Sequence, residues 1–375
     1  MRILIITHFY ESHGGGIERV AGHVCRALAA QGATCVWAAS LANALPDEMA
    51  ITALPLHCID PAERITGLPM PIPGPSAVFR LFRALRESDV VIVHDALYLT
   101  SIVAILGARL HRKPVILMQH IAGIEFASRF MRKAMALANY IVTKPMLRRA
   151  DQVVFISENV RRSFAGVGFR RRPRVIFNGV DQAYFYPGAA DRARFALPSD
   201  SPVVVFAGRF VEKKGLTIVR ALAGRCPDVI FALAGSGPIN PRSWNLGNVR
   251  LVDTLAPSEM GALFRSADLL LLPSVGEGYP LVIQEAMACG LAVVCGTDSA
   301  SADPGASHWL QAVPIDLADP EECAERIAPL ITQVYNNDLD RAAMAEYAMA
   351  TYSWARMGEA LNMIAQSLML AARSI

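Results

Sequence analysis

Residues 268–297 read DLLLLPSVGEGYPLVIQEAMACGLAVVCGT. Two apolar runs, 268–274 (DLLLLPS) and 291–297 (LAVVCGT), flank 281–289 (LVIQEAMAC), which has the composition of a short helix. Such uncharged runs suit strands covered on both faces. The order strand, loop, helix, strand predicts a parallel pair joined by a right-handed crossover. It sets Glu277 in the loop at the carboxyl edge of the sheet, where ligands bind in open α/β folds. The backbone N–H groups of Gly278, Tyr279, Leu281 and Val282 (Pro280 has none) open the helix and form an anion site. Glu285 falls about one turn inside it. A carboxylate accepts hydrogen bonds from paired hydroxyls. One unit is thus expected to hold a phosphate and to grip hydroxyl-rich groups on either side of it.

The alternation repeats outward from this stretch. Strands are predicted at 2–6, 34–39, 89–94, 114–119, 152–156 and 174–177, with a glycine turn at 14–16 and an amphipathic helix over 17–31 stopped by Gly32. After a connection at 181–200 the pattern restarts, with strands at 202–206, 228–234, 249–252, 268–272 and 291–295 and helices near 216–223, 258–266 and 281–289. Helices near 319–335, 338–352 and 355–372 finish the chain. The expected fold is α/β, with two parallel-sheet domains facing across a cleft. The first spans 1–182 and the second 183–354. The proline-rich segment 66–76 (TGLPMPIPGPS) reads as an ordered loop.

At 375 residues and 53% hydrophobic, the chain has enough apolar material for two cores. Its seven cysteines form no CxxC pair and are odd in number, which suits buried, reduced thiols in a reducing cytosol. The start MRILIITHFY runs straight into a strand, leaving no room for a signal peptide, and the uncharged run 96–108 is too short to span a bilayer. The formal net charge of +3 is unevenly spread. Residues 1–180 hold 22 Lys and Arg against 12 Asp and Glu, whereas 181–375 hold 14 against 21. The first half is therefore expected to meet something anionic. Nucleic acid lacks a supporting reader motif, which leaves anionic lipid. Arg161, Arg162, Arg170, Arg171, Arg172 and Arg174 cluster around Phe164 and Phe169, and helical spacing over 126–141 puts Phe126, Phe130, Ala134, Leu137 and Ile141 on one face beside Arg129, Arg132 and Lys133. Both patterns suit an amphipathic surface on anionic membrane.

Four more motifs accompany the opening one. They are Gly14–Arg19 (GGGIER) after the first strand, 175–181 (VIFNGVD), 208–215 (GRFVEKKG) and 233–238 (LAGSGP). In GRFVEKKG, Arg209 and Lys214 place two cations near a sheet edge, suited to a diphosphate. In LAGSGP, Gly235 lets backbone approach a ligand closely. In this order and over the whole chain, the five motifs resemble the family-4 retaining glycosyltransferases of the GT-B fold. The sequence YSWARM at 352–357 is similar to that family's aromatic-Ser-Trp signature, which precedes a final helix crossing back onto the first domain, here 355–375.

The resemblance implies roles. Arg209 and Lys214 would neutralise the donor diphosphate, Glu277 would hold donor-sugar hydroxyls, and Glu285 the ribose. Backbone of Gly278, Tyr279, Leu281 and Val282 would bind phosphate and sugar, and the loop of Gly15 and Gly16 would lie beside diphosphate and acceptor. His120, ending VILMQH, matches a histidine that lines the reaction centre in relatives, and His94 is a weaker acceptor-side candidate. Three departures stand out: Tyr279 where phenylalanine is common, Pro280 after it, and GTDSASAD at 296–303 where relatives carry two glycines. The one D-x-D, at 338–340, lies in a helical, solvent-facing tract, so no metal and no cofactor are expected.

The reading is a metal-independent, retaining transfer of a sugar from a UDP- or GDP-sugar to a hydroxyl of a lipid-linked or glycan acceptor in cell-surface glycan synthesis. The enzyme is expected in the cytoplasm, peripheral on the inner face of the plasma membrane. A GT-B sugar-nucleotide epimerase and a non-catalytic sugar-nucleotide-binding partner subunit are the alternatives. A dinucleotide dehydrogenase is disfavoured, because residues 14–16 do not continue as G-x-G-x-x-G.

Overall fold

The structure, a computed structural model, describes residues 1–41, 44–61, 70–121, 129–252, 254–336 and 340–373. It divides into two compact units, Met1–Asn178 with Trp354–Ile375, and Gly179–Ser353.

In the first unit, β1 (Arg2–Phe9), α1 (Gly16–Ala29), β2 (Thr34–Ser40) and β3 (Ile51–Leu56) lead into a short antiparallel ribbon of β4 (Cys58–Ile59) and β5 (Ile72–Pro73). There follow α2 (Pro75–Glu87), β6 (Val90–His94), α3 (Leu99–Leu110), β7 (Val115–Gln119), α4 (Arg129–Ala138), α5 (Lys144–Arg149), β8 (Gln152–Phe155), α6 (Glu158–Ser163) and β9 (Arg174–Val175). The sheet is wholly parallel, in the order β3-β2-β1-β6-β7-β8-β9. Order reverses between β1 and β6, so the loops leaving these two strands diverge and open a crevice at their carboxyl ends. VVIV of β6 and VILM of β7 are fully buried, as strands covered by helices on both faces must be.

The second unit repeats the plan with β10 (Val203–Ala207), α7 (Leu216–Arg225), β11 (Ile230–Ala234), β12 (Val249–Val252), α8 (Pro257–Ser266), β13 (Leu269–Leu272), α9 (Leu281–Ala288), β14 (Ala292–Gly296), α10 (Thr297–Ala300), β15 (Leu310–Val313), α11 (Pro320–Asn336) and α12 (Arg341–Thr351). Its sheet is also parallel, β12-β11-β10-β13-β14-β15, with the reversal between β10 and β13. The last helix, α13 (Trp354–Arg373), belongs to the first unit and packs on α1. There Trp354 stacks flat on His23, ring centroids 4.3 Å apart.

Four expectations change. The proline-rich segment is not all loop. Residues 66–69 lie outside the described residues, but Ile72–Pro73 is a strand and Pro75 opens α2, where a fixed φ and a missing N–H carry no penalty. Strand β3 escaped the pattern because of Pro55, which the sheet tolerates at its edge. The regular helix expected over 126–141 ends at Ala138, where Asn139–Thr143 forms one π turn. Ile141 therefore leaves the register of Leu137; Phe126 lies outside the described residues, as does the side chain of Phe130. Finally, Phe164 does not face a membrane. It is buried, stacked on Phe155, and Phe169 meets Phe155 edge-on.

Candidate functional site

In the second unit, the strand order alone brings GRFVEKKG and EGYPLVIQE together, since β10 and β13 are neighbours at the switch point. The turn after β10 is built on glycines. Gly208 and Gly235 both have φ above +130°, and a Cβ on Gly235 would collide with the Gly208 carbonyl. The two turns interlock through Gly208 N–H to Ala234 O (3.0 Å) and Phe210 N–H to Ser236 O (2.8 Å). Gly215, in the left-handed region, lies against the Pro273 carbonyl with no room for a side chain, and Val275 N–H donates to Lys213 O at 3.0 Å. The Lys214 loop and the Glu277 loop are thus held backbone to backbone.

That contact produces an ion triad. Lys214 Nζ lies 3.0 Å from Glu277 Oε1, and Lys213 Nζ lies 3.6 Å from the same oxygen. Burial pushes the Glu277 carboxyl up, but Lys214 and then Lys213 outweigh it, and the group sits below its ordinary value. It is therefore ionised at neutral pH. Arg209 is exposed and makes no ion pair among the described residues. Helix α9 begins at Leu281, with Pro280 as its N-cap and no capping side chain; Ile283 N–H donates to Pro280 O at 3.1 Å, and no side chain of the N-cap takes the N–H groups ahead of it. Glu285, in its second turn, is buried. Tyr279 is buried too, with its hydroxyl 2.8 Å from that of Tyr352.

The first unit's switch point holds a different chemistry. Gly15 caps α1, and a Cβ there would strike the Glu18 carboxylate. Buried Glu18 meets buried His8, Oε1 to Nε2 2.8 Å, and His8 stacks on Tyr98 with centroids 3.9 Å apart. His94 Nδ1 and His120 Nε2 are 2.9 Å apart. Burial drives both imidazoles down, His120 to about 3, so they are neutral. Asp95 adjoins them with φ of 57°. Its Oδ1 accepts from Gln119 Nε2 (2.5 Å) and from His120 N–H (3.2 Å), and burial, only partly opposed by these bonds, lifts its carboxyl to about 7.

Sequence reasoning named Glu277, Lys214, His94 and His120 but missed Lys213, Glu18, His8 and Asp95. Glu18 carried a signal, as the acid in the first turn of a helix capped by glycine. Of the D-x-D, residues 338 and 339 lie outside the described residues, and Asp340 serves as N-cap of α12, accepting from Ala343 N–H at 2.9 Å.

Residues 14–184 match the model of Glycosyltransferase Family 4, and residues 201–333 match that of Glycosyl transferases group 1. The chain belongs to the GT-B glycosyltransferases. A D-inositol 3-phosphate glycosyltransferase of Mycolicibacterium smegmatis is 35% identical over 214 residues, 51% of this chain and 46% of that one. The chain thus spans about half the length of this curated relative. Among solved structures, sucrose-phosphate synthase from Thermosynechococcus elongatus superposes with a TM-score of 0.77 at 18% identity, over 99% of this chain and 100% of that one. Anabaena HepE in complex with UDP-glucose does so with 0.71 at 18% identity, over 98% and 100%. At these identities the likeness is one of fold. Among the described residues of this GT-B chain, no helix is long and apolar enough to cross a membrane.

Proposed function

We propose that this chain is a retaining glycosyltransferase, working without a metal, that moves a sugar from a UDP- or GDP-sugar to an acceptor hydroxyl. The observation that carries the reading is the Lys213–Glu277–Lys214 triad beside the open start of α9. In the reaction the bond from the anomeric carbon to the outer phosphate oxygen breaks and the bond to the acceptor oxygen forms. The acceptor's proton leaves with the departing phosphate. Negative charge grows on the leaving diphosphate, and preorganised cations and helix-end N–H groups stabilise it. Lys214 and Arg209 take that role. Glu277, freed from Lys214 as the diphosphate arrives, turns its acceptor oxygens to the hydroxyls of the transferred sugar, and Glu285 serves the ribose. The buried, neutral His94–His120 pair adds no charge to the acceptor side.

The acceptor is a lipid-linked or glycan hydroxyl in cell-surface glycan synthesis, met by an enzyme peripheral on the inner face of the plasma membrane. Exposed Leu137, Tyr140 and Ile141, together with Arg171 and Arg172, support the membrane contact. Arg161 and Arg170 are engaged with Glu158 and Asp151, and contribute less. A second reading, a small phosphorylated polyol as acceptor, is favoured by the D-inositol 3-phosphate glycosyltransferase relative. A thermal-shift panel of nucleoside diphosphates and their sugars tests the donor, since a bound donor raises the melting temperature by mass action. Transfer assays with lipid-linked and phosphopolyol acceptors then separate the two readings. No shift with any nucleotide would refute both.

A further inference from the structure

Two of the three departures from the family pattern, Tyr279 and the segment that follows β14, meet in the fold. Asp303, buried, accepts from the Tyr352 hydroxyl at 2.7 Å and from the Tyr347 hydroxyl at 2.9 Å on Oδ2, and from Gly305 N–H at 2.9 Å on Oδ1. The Tyr352 hydroxyl also meets that of Tyr279 at 2.8 Å. The direction of this relay follows from the proton count. A carboxylate only accepts, so Tyr352 spends its single O–H on Asp303, and Tyr279 must then donate to Tyr352. Burial holds the Tyr279 and Tyr352 hydroxyls well above their ordinary range, so both keep their protons. The rings reinforce the relay by edge-on contacts, Tyr279 to Tyr352 at 5.8 Å and Tyr347 to Tyr352 at 6.1 Å.

Tyr279 lies two residues after Glu277 and one before the N-cap of α9. In this structure the Glu277 loop is held by its ion pairs to Lys214 and Lys213, by the Val275 N–H bond to Lys213 O, and by Tyr279. An arriving diphosphate competes for Lys214, and the ion pair is then released. The hydroxyl bonds of the tyrosine relay run instead to Asp303.

We propose that Asp303 is a positioning residue which, through Tyr352 and Tyr279, keeps Glu277 and the start of α9 aligned once a diphosphate has taken Lys214. The inference rests on the donor reading above. The test uses the full chain with Tyr279→Phe, Tyr352→Phe, the double variant and Asp303→Asn. One readout is hydrogen exchange of the peptide covering 275–285 with UDP or GDP bound; the other is donor KM and kcat.

Deleting one hydroxyl bond should lower kcat by about three- to ten-fold, the range of one net hydrogen bond, and leave nucleoside-diphosphate affinity within about twofold. Exchange at 275–285 should quicken, more with nucleotide present than without. Because the hydroxyls act in series, Tyr352→Phe added to Tyr279→Phe should change little further. A purely structural role predicts additive losses of melting temperature and equal effects with and without nucleotide, and either result overturns the proposal. So does exchange unchanged in Tyr279→Phe. If Asp303→Asn fails to fold, the tyrosine variants still decide. If the wild type binds no nucleotide at all, the donor reading fails; if it binds nucleotide and the variants match it, the relay alone fails.

Discussion

Replacing Asp95 by Asn should stabilise the first unit in a pH-dependent way. Asp95 is buried in the αL region, and its carboxyl, raised from 3.8 to about 7, keeps a proton in the fold that the unfolded chain gives up near pH 4. Between these values the native state binds more protons than the unfolded state, so stability falls as pH rises, and the loss is complete above about pH 7. Three pKa units at 1.36 kcal/mol each make the loss on the order of 4 kcal/mol, an upper value since local rearrangement relieves part of it. Asparagine keeps the shape and the oxygen that accepts from Gln119 and His120, carries no charge, and tolerates positive φ better than most residues. The two proteins should therefore melt within a degree or two of each other at pH 4.5. At pH 8 the variant should melt higher, by on the order of 10 °C if the full 4 kcal/mol is recovered, at about 2–4 °C per kcal/mol for a unit of this size. Differential scanning calorimetry at the two pH values measures this. A melting difference equal at both, or a variant less stable at pH 8, would refute a protonated, strained Asp95.

Four further outcomes are expected. Lys214→Ala or Arg209→Ala should reduce turnover by roughly 2–4 kcal/mol of transition-state stabilisation; near-normal steady-state rates with both removed would end the diphosphate assignment. Glu285→Gln should weaken free nucleoside diphosphate in calorimetric titration, while Glu277→Gln should mainly cut transfer; equal weakening by both would abolish that division of labour. Excess EDTA should leave most activity intact, and loss restored by Mn²⁺ or Mg²⁺ would contradict metal independence. Vesicle co-sedimentation should favour acidic over neutral lipid, weaken in high salt, and fall in Arg171→Ser/Arg172→Ser, each cation being worth about 1 kcal/mol near the surface; indifference to lipid charge would remove the membrane contact.

What the sequence disclosed tracks what is local. Strands, the glycine turns and the helix start at 281 were legible because each rests on a run of fewer than about ten residues. That Glu277 and Lys214 form a pair was not legible, though both were named. They are far apart in the chain, and only the adjacency of β10 and β13 joins them. Periodicity also failed where two environments want the same pattern. An aromatic between arginines suits a membrane face or a core edge, and Phe164 turned out to be core. The π turn at 139–143 was invisible because one extra residue per turn leaves no compositional mark. Asp303 was noticed only as part of an unusual stretch, since a buried acid is identified by its donors, and Tyr347 and Tyr352 lie more than forty residues away.

The two switch points handle buried charge differently, and the difference supports the division of work proposed for them. In the first unit the His94 and His120 imidazoles are driven neutral and the Asp95 carboxyl is raised to about 7, so these three serve mainly as hydrogen-bonding groups, and the charge nearby is the buried Glu18 carboxylate held by His8. Beside an ionised Glu18 a second anion gains nothing, whereas an uncharged hydroxyl is tolerated. In the second unit Glu277 is kept ionised by two lysines, and the triad has a net positive charge. In the proposed function, an incoming diphosphate would trade one carboxylate for two or more phosphate charges at Lys214, which favours exchange on charge alone. The carboxylate released from Lys214 would keep only the longer Lys213 contact, 3.6 Å, and gain accepting capacity for hydroxyls. In the proposed function, donor-sugar hydroxyls would fill that capacity. A nucleoside diphosphate without its sugar would leave Glu277 with Lys213 alone, so the intact donor should bind more tightly than the product, the sense needed for turnover.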